Sequence, residues 1–103
     1  MKKSKKLIVG NWKMYPEKLE DAKKIFNDVK KVATKIKRSN IVLCPPSIYL
    51  SVFADKTKSP LFLGAQNTNS ESFGSLTGEV SVSQIAHLGL DYVIVGHSER
   101  RKM

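Results

Sequence analysis

The sequence has few cysteines and no long apolar run, which are the features that mark disulfide-rich and membrane-spanning proteins. Its single cysteine, Cys44, excludes an internal disulfide. No apolar run approaches the ~20 residues that span a bilayer. The apolar stretch behind the basic N-terminus, Leu7 to Val9, is too short for the core of a signal peptide. We therefore expect a soluble, cytoplasmic protein with no membrane partner.

Acidic residues are also scarce, and the resulting charge is unevenly placed. The chain has 103 residues and a net charge of +9. Residues 1–38 hold 13 basic and 4 acidic side chains, whereas residues 39–103 hold 5 of each. Clustered cations attract phosphates, so a polyanion-binding function is possible. The cations are nearly all lysines with few aromatic rings among them, which favours a solvated helix face. We expect no nucleic-acid partner.

Short apolar segments alternate with segments of helical periodicity. Strands are predicted at residues 6–11, 40–45, 60–67 and 91–97, and helices at 17–37, 47–55 and 79–90. Pro16 suits the first turn of the first helix, and Ser47 is the expected cap of the second. In the third helix, Ile85, Ala86 and Leu88 should face inward, and Gly89 should end it.

The order βαβαβαβ predicts an α/β fold with a parallel sheet in one domain, residues 1–103. The strands are apolar without clean alternation, so both faces of the sheet should be covered. A polar loop at residues 68–78 follows the third strand, and loops of this length are often functional. Functional groups of such folds gather beyond the C-terminal ends of the strands.

Polar side chains follow the strands at that edge. The end of the first strand brings Asn11 and Lys13, and the end of the fourth brings His97, Glu99 and Arg100. Taken singly, each has a plainer explanation: a surface lysine, an asparagine that caps a turn, a histidine bonded to backbone. Their convergence on one edge predicts a cation-rich site for a small anionic substrate.

Three groups of residues resemble one known family. The segments "VGNWKM" (9–14), "GAQN" with "GSLTGEVS" (64–67 and 74–81) and "YVIVGHSERR" (92–101) resemble triosephosphate isomerase, in that family's order and at its spacing. The resemblance implies a TIM (β/α)₈ barrel of which this chain supplies strands one to four, a parallel half-barrel. It also implies interconversion of dihydroxyacetone phosphate and glyceraldehyde 3-phosphate in glycolysis and gluconeogenesis, with no cofactor and no metal.

The resemblance assigns roles to individual residues at the strand ends. Asn11 and Lys13 match the pair that contacts the triose phosphate substrate, and His97 matches the catalytic histidine. Glu99 matches the carboxylate of the same loop, which either holds Lys13 or shuttles a proton. We therefore expect Lys13, His97 and Glu99 to be catalytic.

The resemblance also implies a contact between subunits. Thr77 matches the threonine that reaches into a neighbouring subunit, and Glu79 and Arg100 match a pair of opposite charges at that interface. Phe73 lies in the same loop, so self-association through residues 68–78 is expected. Tyr15 stands near the interface, where the family usually has asparagine.

A complete (β/α)₈ barrel takes ~250 residues. By the resemblance, the glutamate base, the lid and the phosphate-binding loops belong to the C-terminal half, so we expect a complementary half-barrel chain and no activity from this chain alone. Ile8, Val42 and Leu63 are expected to face the barrel interior, with one wall missing. A split enzyme is favoured over a non-catalytic, self-associating module. A cut or engineered fragment explains the sequence equally well.

Overall fold

The computed structural model describes residues 6–69 and 74–95, and it confirms the alternating order of strands and helices. In chain order the elements are β1 (Lys6–Asn11), α1 (Leu19–Ala33), β2 (Ser39–Cys44), α2 (Ser47–Phe53), β3 (Leu61–Ala65), α3 (Val82–His87) and β4 (Tyr92–Val93). The strands pair in parallel in the order β1-β2-β3-β4. This curled parallel sheet is the predicted half-barrel.

Strand register decides which side chains face the helices. Val9 pairs with Val42, and Val42 pairs with Phe62, so these side chains share the face that turns away from the helices. Ile8 pairs with Ile41 on the opposite face. The expected interior position is therefore right for Val42 and wrong for Ile8 and Leu63, because side chains alternate along a strand and these two are out of phase with Val42.

The main core lies between the sheet and the helices. Phe26 of α1 stacks on Phe53 of α2 with ring centroids 4.3 Å apart, and the indole of Trp12 meets the edge of Phe53 at 6.1 Å. Sheet residues Ile41, Leu43, Leu61, Leu63 and Ala65 complete this buried cluster. The Trp12 indole, which lies just beyond β1, is thereby anchored on the core.

The expected roles of Pro16 and Ser47 at the helix starts are wrong, and α1 and α2 end earlier than predicted, at Ala33 and Phe53. α1 begins at Leu19 behind an extended Lys18, so Pro16 precedes the helix and does not occupy its first turn. Pro46 is the N-cap of α2, and Ser47 is already helical, so the predicted serine cap is wrong. The reason is the Pro45–Pro46 pair, which holds the chain extended up to the first helical residue.

α3 is shorter than the predicted segment because its cap lies inside it. The Ser81 hydroxyl accepts a bond from the Gln84 amide at 3.1 Å, and the Gln84 side chain accepts one from the Ser81 amide at 2.9 Å. Gly89 ends the helical segment at φ 91°, as predicted. Ile85 is buried, but Ala86 and Leu88 are exposed, since so short a helix turns few positions inward.

None of the helices in the described part of the chain combines the length and the apolar character needed to cross a membrane.

Candidate active site

The C-terminal ends of the strands meet at one edge of the sheet, as the parallel topology requires. Asn11, the last residue of β1, pairs with Cys44, the last residue of β2. Ala65 at the end of β3 pairs with Val93 at the end of β4, and the Ile94 amide donates to the Ala65 carbonyl at 2.8 Å. Residues that directly follow these positions are therefore close neighbours.

Lys13 lies in a tight turn that Asn11 stabilises. The Asn11 side-chain oxygen accepts a hydrogen bond from the Lys13 amide at 2.8 Å, and the Tyr15 amide donates to the Trp12 carbonyl at 3.2 Å. Lys13 adopts φ 58°, the left-handed region that a residue with a β-carbon seldom occupies. Asn11 thus caps the turn, which is the structural role suggested above as an alternative to substrate contact. The same hydrogen bond fixes the backbone of the predicted catalytic lysine.

Gln66 is a site residue to which the sequence analysis gave no role. Its side-chain nitrogen donates to the Lys13 carbonyl at 2.6 Å and to the Cys44 carbonyl at 2.8 Å. The Cys44 carbonyl also accepts the Trp12 amide at 3.1 Å. The signal was available, because "GAQN" places Gln66 one residue beyond β3 at the same edge as Lys13.

Cys44 lies at this edge but is unsuited to nucleophilic chemistry. Its side chain is fully buried, and burial raises the pKa of the thiol from 9.0 to about 11. A thiol with so high a pKa stays protonated at neutral pH, whereas the thiolate is the reactive form. The contribution of Cys44 to the site is therefore its backbone carbonyl.

A groove of about 460 Å³ lies beside the Lys13 turn and is lined by Met14, Tyr15, Pro46, Ile48 and Tyr49, among others. Three of these side chains are largely exposed: Met14 at 89%, Ile48 at 77% and Tyr15 at 71%. The Tyr49 hydroxyl donates to the Pro16 carbonyl at 2.7 Å and holds the two sides of the groove together. The predicted interface residue Tyr15 thus lies on an apolar, open surface.

The two ends of loop 68–78 are held together by hydrogen bonds, which form the base of the loop. The Asn69 amide donates to the Val80 carbonyl at 2.7 Å, and Asn69 forms a parallel bridge with Ser81. The Glu79 carboxylate accepts a bond from the Asn69 side chain at 3.4 Å. Thr77 is exposed beyond this base. The structure therefore places the predicted interface residues Thr77, in the loop, and Glu79, just after it, at the surface.

Four predicted residues lie outside the described ranges: His97, Glu99 and Arg100 after β4, and Phe73 in the loop. Of the predicted site residues, the structure therefore brings together Asn11 and Lys13, and it adds Gln66 to them.

Comparison with known proteins decides the family. A family model described as triosephosphate isomerase matches residues 6–103. The chain belongs to the triosephosphate isomerase family. Relatives named triosephosphate isomerase include those of Rhodopirellula baltica, 42% identical over 98 residues, and Shewanella sediminis, 43% identical over 107 residues. Each match covers 94% of this chain.

The chain spans 38% of the length of the Rhodopirellula baltica triosephosphate isomerase and 40% of that from Shewanella sediminis. The range matched by the triosephosphate isomerase model contains every predicted site position, including the four whose structure is not described. The family match and the half-barrel therefore agree over the residues that the structure describes, 6–69 and 74–95.

Proposed function

We propose that this chain contributes the substrate-polarising part of a triosephosphate isomerase site, which interconverts dihydroxyacetone phosphate and glyceraldehyde 3-phosphate. The observation that carries the proposal is the Lys13 turn. A family-type lysine is fixed at the C-terminal edge of a parallel sheet by Asn11, at the place where such folds bind their substrates. A cation fixed there would attract the phosphate of a small anionic substrate.

The reaction requires a base that removes a carbon-bound proton and groups that stabilise the oxyanion that forms. Lys13 supplies a fixed positive charge to the phosphate and to the enediolate. Asn11 helps to orient the carbonyl oxygen. His97 polarises that carbonyl, and triosephosphate isomerase is itself the reference case of a histidine kept neutral for this purpose. Glu99 either holds Lys13 or shuttles a proton.

A complementary C-terminal half-barrel is proposed to complete the site. By the family resemblance, that half carries the carboxylate base, the lid and the remaining phosphate contacts. Support comes from β1, which pairs with β2 and leaves Leu7, Ile8 and Val9 each about half exposed, at 51%, 51% and 49%. Apolar side chains on a strand edge are suited to pairing with a further strand.

A second copy of the chain is proposed to dock by loop 68–78. The groove beside Tyr15 offers an apolar surface, and loop residues Leu76 and Thr77 are exposed on the same protein. Since strand closure and loop docking use different surfaces, two copies of each half would form two barrels related by a two-fold axis. Glu79 and Arg100 would contribute opposite charges to that contact.

The activity proposal is tested by a coupled isomerase assay with and without a C-terminal half-barrel taken from the Rhodopirellula baltica relative. We expect no meaningful turnover by the 103-residue chain alone, since general base catalysis is worth about 10²–10⁴-fold, and recovery on mixing or fusion. Lys13→Ala and His97→Ala should abolish the recovered activity. Lys24→Ala, which removes the same charge from the exposed face of α1, should not. Family-like turnover by the chain alone would falsify the requirement for a second half.

Sedimentation of the chain, alone and with the C-terminal half, tests the assembly. We expect self-association or aggregation without the second half, and a defined dimer of barrels with it. Thr77→Arg should dissociate that dimer without opening the barrels, whereas Lys24→Ala should leave it intact. A compact monomer at high concentration, with no added half, would contradict both proposed contacts.

A further inference from the structure

The side chain of Gln66 joins the ends of three strands at the candidate active site. It extends from the residue after β3, and its one nitrogen donates to the carbonyls of Lys13, beyond β1, and Cys44, at the end of β2. The distance to the Cys44 carbonyl, 2.8 Å, is at the short end of the range for amide–carbonyl bonds, and that to the Lys13 carbonyl, 2.6 Å, is just below it. Both hydrogens of the amide group are therefore committed to backbone oxygens.

Lys13 needs such support because its backbone is in an unfavourable region. At φ 58° a residue with a β-carbon sits about 1–2 kcal/mol above the right-handed region, and the cost persists only where neighbours over-determine the conformation. The Asn11 oxygen holds the Lys13 amide at 2.8 Å, and Gln66 holds the Lys13 carbonyl at 2.6 Å. The two peptide groups on either side of the Lys13 α-carbon are thus fixed by different strands.

We propose that Gln66 is a positioning residue that sets the backbone conformation of Lys13 by clasping the Lys13 and Cys44 carbonyls together. The direction in which the lysine side chain leaves the backbone depends on φ and ψ, so the clasp determines where the ammonium group can reach. The conformational part of this inference stands on the hydrogen bonds alone. Its consequence for catalysis rests on the proposed isomerase function.

The clasp makes a distinctive prediction about charge at position 66. Gln66→Met keeps the length of the side chain and removes both donors. Gln66→Glu keeps the shape, but its ionised carboxylate would face two carbonyl oxygens, which raises the pKa of the new acid. When protonated, the acid can donate one of the two hydrogen bonds. The effect of Gln66→Glu should therefore be large at pH 8 and smaller at pH 5, whereas that of Gln66→Met should not change in this way.

NMR of the ¹⁵N-labelled chain tests the conformational part, with the C-terminal half added if the chain self-associates. In the parent, a strong NOE between the amide proton and Hα of Lys13 should report its positive φ. We expect this NOE to weaken, and the Trp12 and Lys13 amide signals to shift, in Gln66→Met and in Gln66→Glu at pH 8. Partial recovery is expected for Gln66→Glu at pH 5. Unchanged Lys13 signals in these variants would overturn the proposal.

Gln84→Met is the matched control, because it also removes a glutamine side chain that bonds to backbone, in the α3 capping box. It should lower stability and leave the Lys13 and Trp12 signals in place. If the control shifts them as much as Gln66→Met does, the change reflects general loosening and the clasp is refuted. The Gln66→Glu comparison between two pH values uses one folded sample, so it remains decisive if Gln66→Met does not fold.

Kinetics of the completed barrel test the catalytic consequence. Misplacing a catalytic group by about 1 Å can lower the rate about 10²-fold, so we expect Gln66→Met to lower kcat/KM by about that factor. For Gln66→Glu, the kcat/KM relative to that of the parent should be higher at low pH than at high pH. Gln84→Met should keep the parent kcat/KM. An inactive parent barrel would refute the proposed function and leave the NMR result standing. An active parent with an unaffected Gln66→Met would refute the catalytic role alone.

Discussion

Replacing Gly64 of β3 with alanine should destabilise the fold more than the same replacement of Gly10 in β1. A β-carbon built at Gly64 lies 2.8 Å from the Cys44 sulfur, 3.1 Å from a Val42 methyl carbon and 3.2 Å from the Tyr92 β-carbon. This sulfur belongs to the short side chain of Cys44, which is fully buried. Overpacking of this kind costs about 1–3 kcal/mol, and replacing a strand glycine returns about 0.5–1 kcal/mol of backbone entropy. We expect Gly64→Ala to lower the free energy of unfolding by about 1–2 kcal/mol.

A double-mutant cycle identifies the cause of that loss. Cys44→Ala removes the sulfur that the new methyl group would strike, and alone it should cost about 1 kcal/mol of buried apolar surface. In the double variant the methyl group of position 64 occupies part of the vacated space, so the two changes should cost at least about 1 kcal/mol less together than their sum. Gly10→Ala is the control, since its β-carbon would meet a Leu43 methyl carbon at 3.3 Å and the Val42 carbonyl oxygen at 3.9 Å, both farther away than the Cys44 sulfur is from Gly64.

Urea unfolding followed by Trp12 fluorescence provides the measurement, because the indole packs against Phe53 in the folded core. The order of midpoints should be parent, Gly10→Ala, then Gly64→Ala. Two results would refute the reasoning: a Gly64→Ala midpoint equal to that of the parent, or strict additivity of the Gly64 and Cys44 changes.

Further predictions concern the buried thiol, the α3 cap and the net charge. Burial raises the pKa of Cys44 to about 11, so iodoacetamide should label it at neutral pH about 100-fold more slowly than an unfolded cysteine. Since the folded pKa is the higher, the stability from burying the neutral thiol is complete below about pH 9 and declines between pH 9 and 11, as urea midpoints against pH would show. Ser81→Ala should cost about 1 kcal/mol by removing the α3 cap, whereas Ser83→Ala on the same helix should cost less than half as much. Retention on immobilised DNA should be weak and vanish with added salt; sequence-preferring binding at physiological salt would contradict the isomerase proposal.

The sequence was informative wherever a pattern repeats or a motif is long. Strand and helix order followed from periodicity, and Asn11 and Lys13 followed from their place at the C-terminal end of β1 and just beyond it. Gln66 was missed because its role depends on two carbonyls from distant parts of the chain, and a side-chain-to-backbone bond leaves no signature in either partner's residue type. The expected faces of Ile8 and Leu63 were wrong for a related reason. In a strand apolar on both faces, composition does not fix the phase of alternation.

A large part of the positive charge of the chain lies at the edge of the sheet opposite the candidate site. Six cations lie in the turns and strand start at the opposite, N-terminal edge of the sheet: Lys6, Lys35, Lys37, Arg38, Lys56 and Lys58. Asp55 and Asp91 are the acidic residues in the corresponding positions, so this edge accounts for +4 (six minus two) of the +9 of the whole chain. Exposed charges separated by more than about 8 Å are largely screened at physiological ionic strength. On the proposed function, the contribution of this chain to phosphate binding is therefore expected from the Lys13 turn, and neutralising the N-terminal edge should weaken polyanion retention without altering the site.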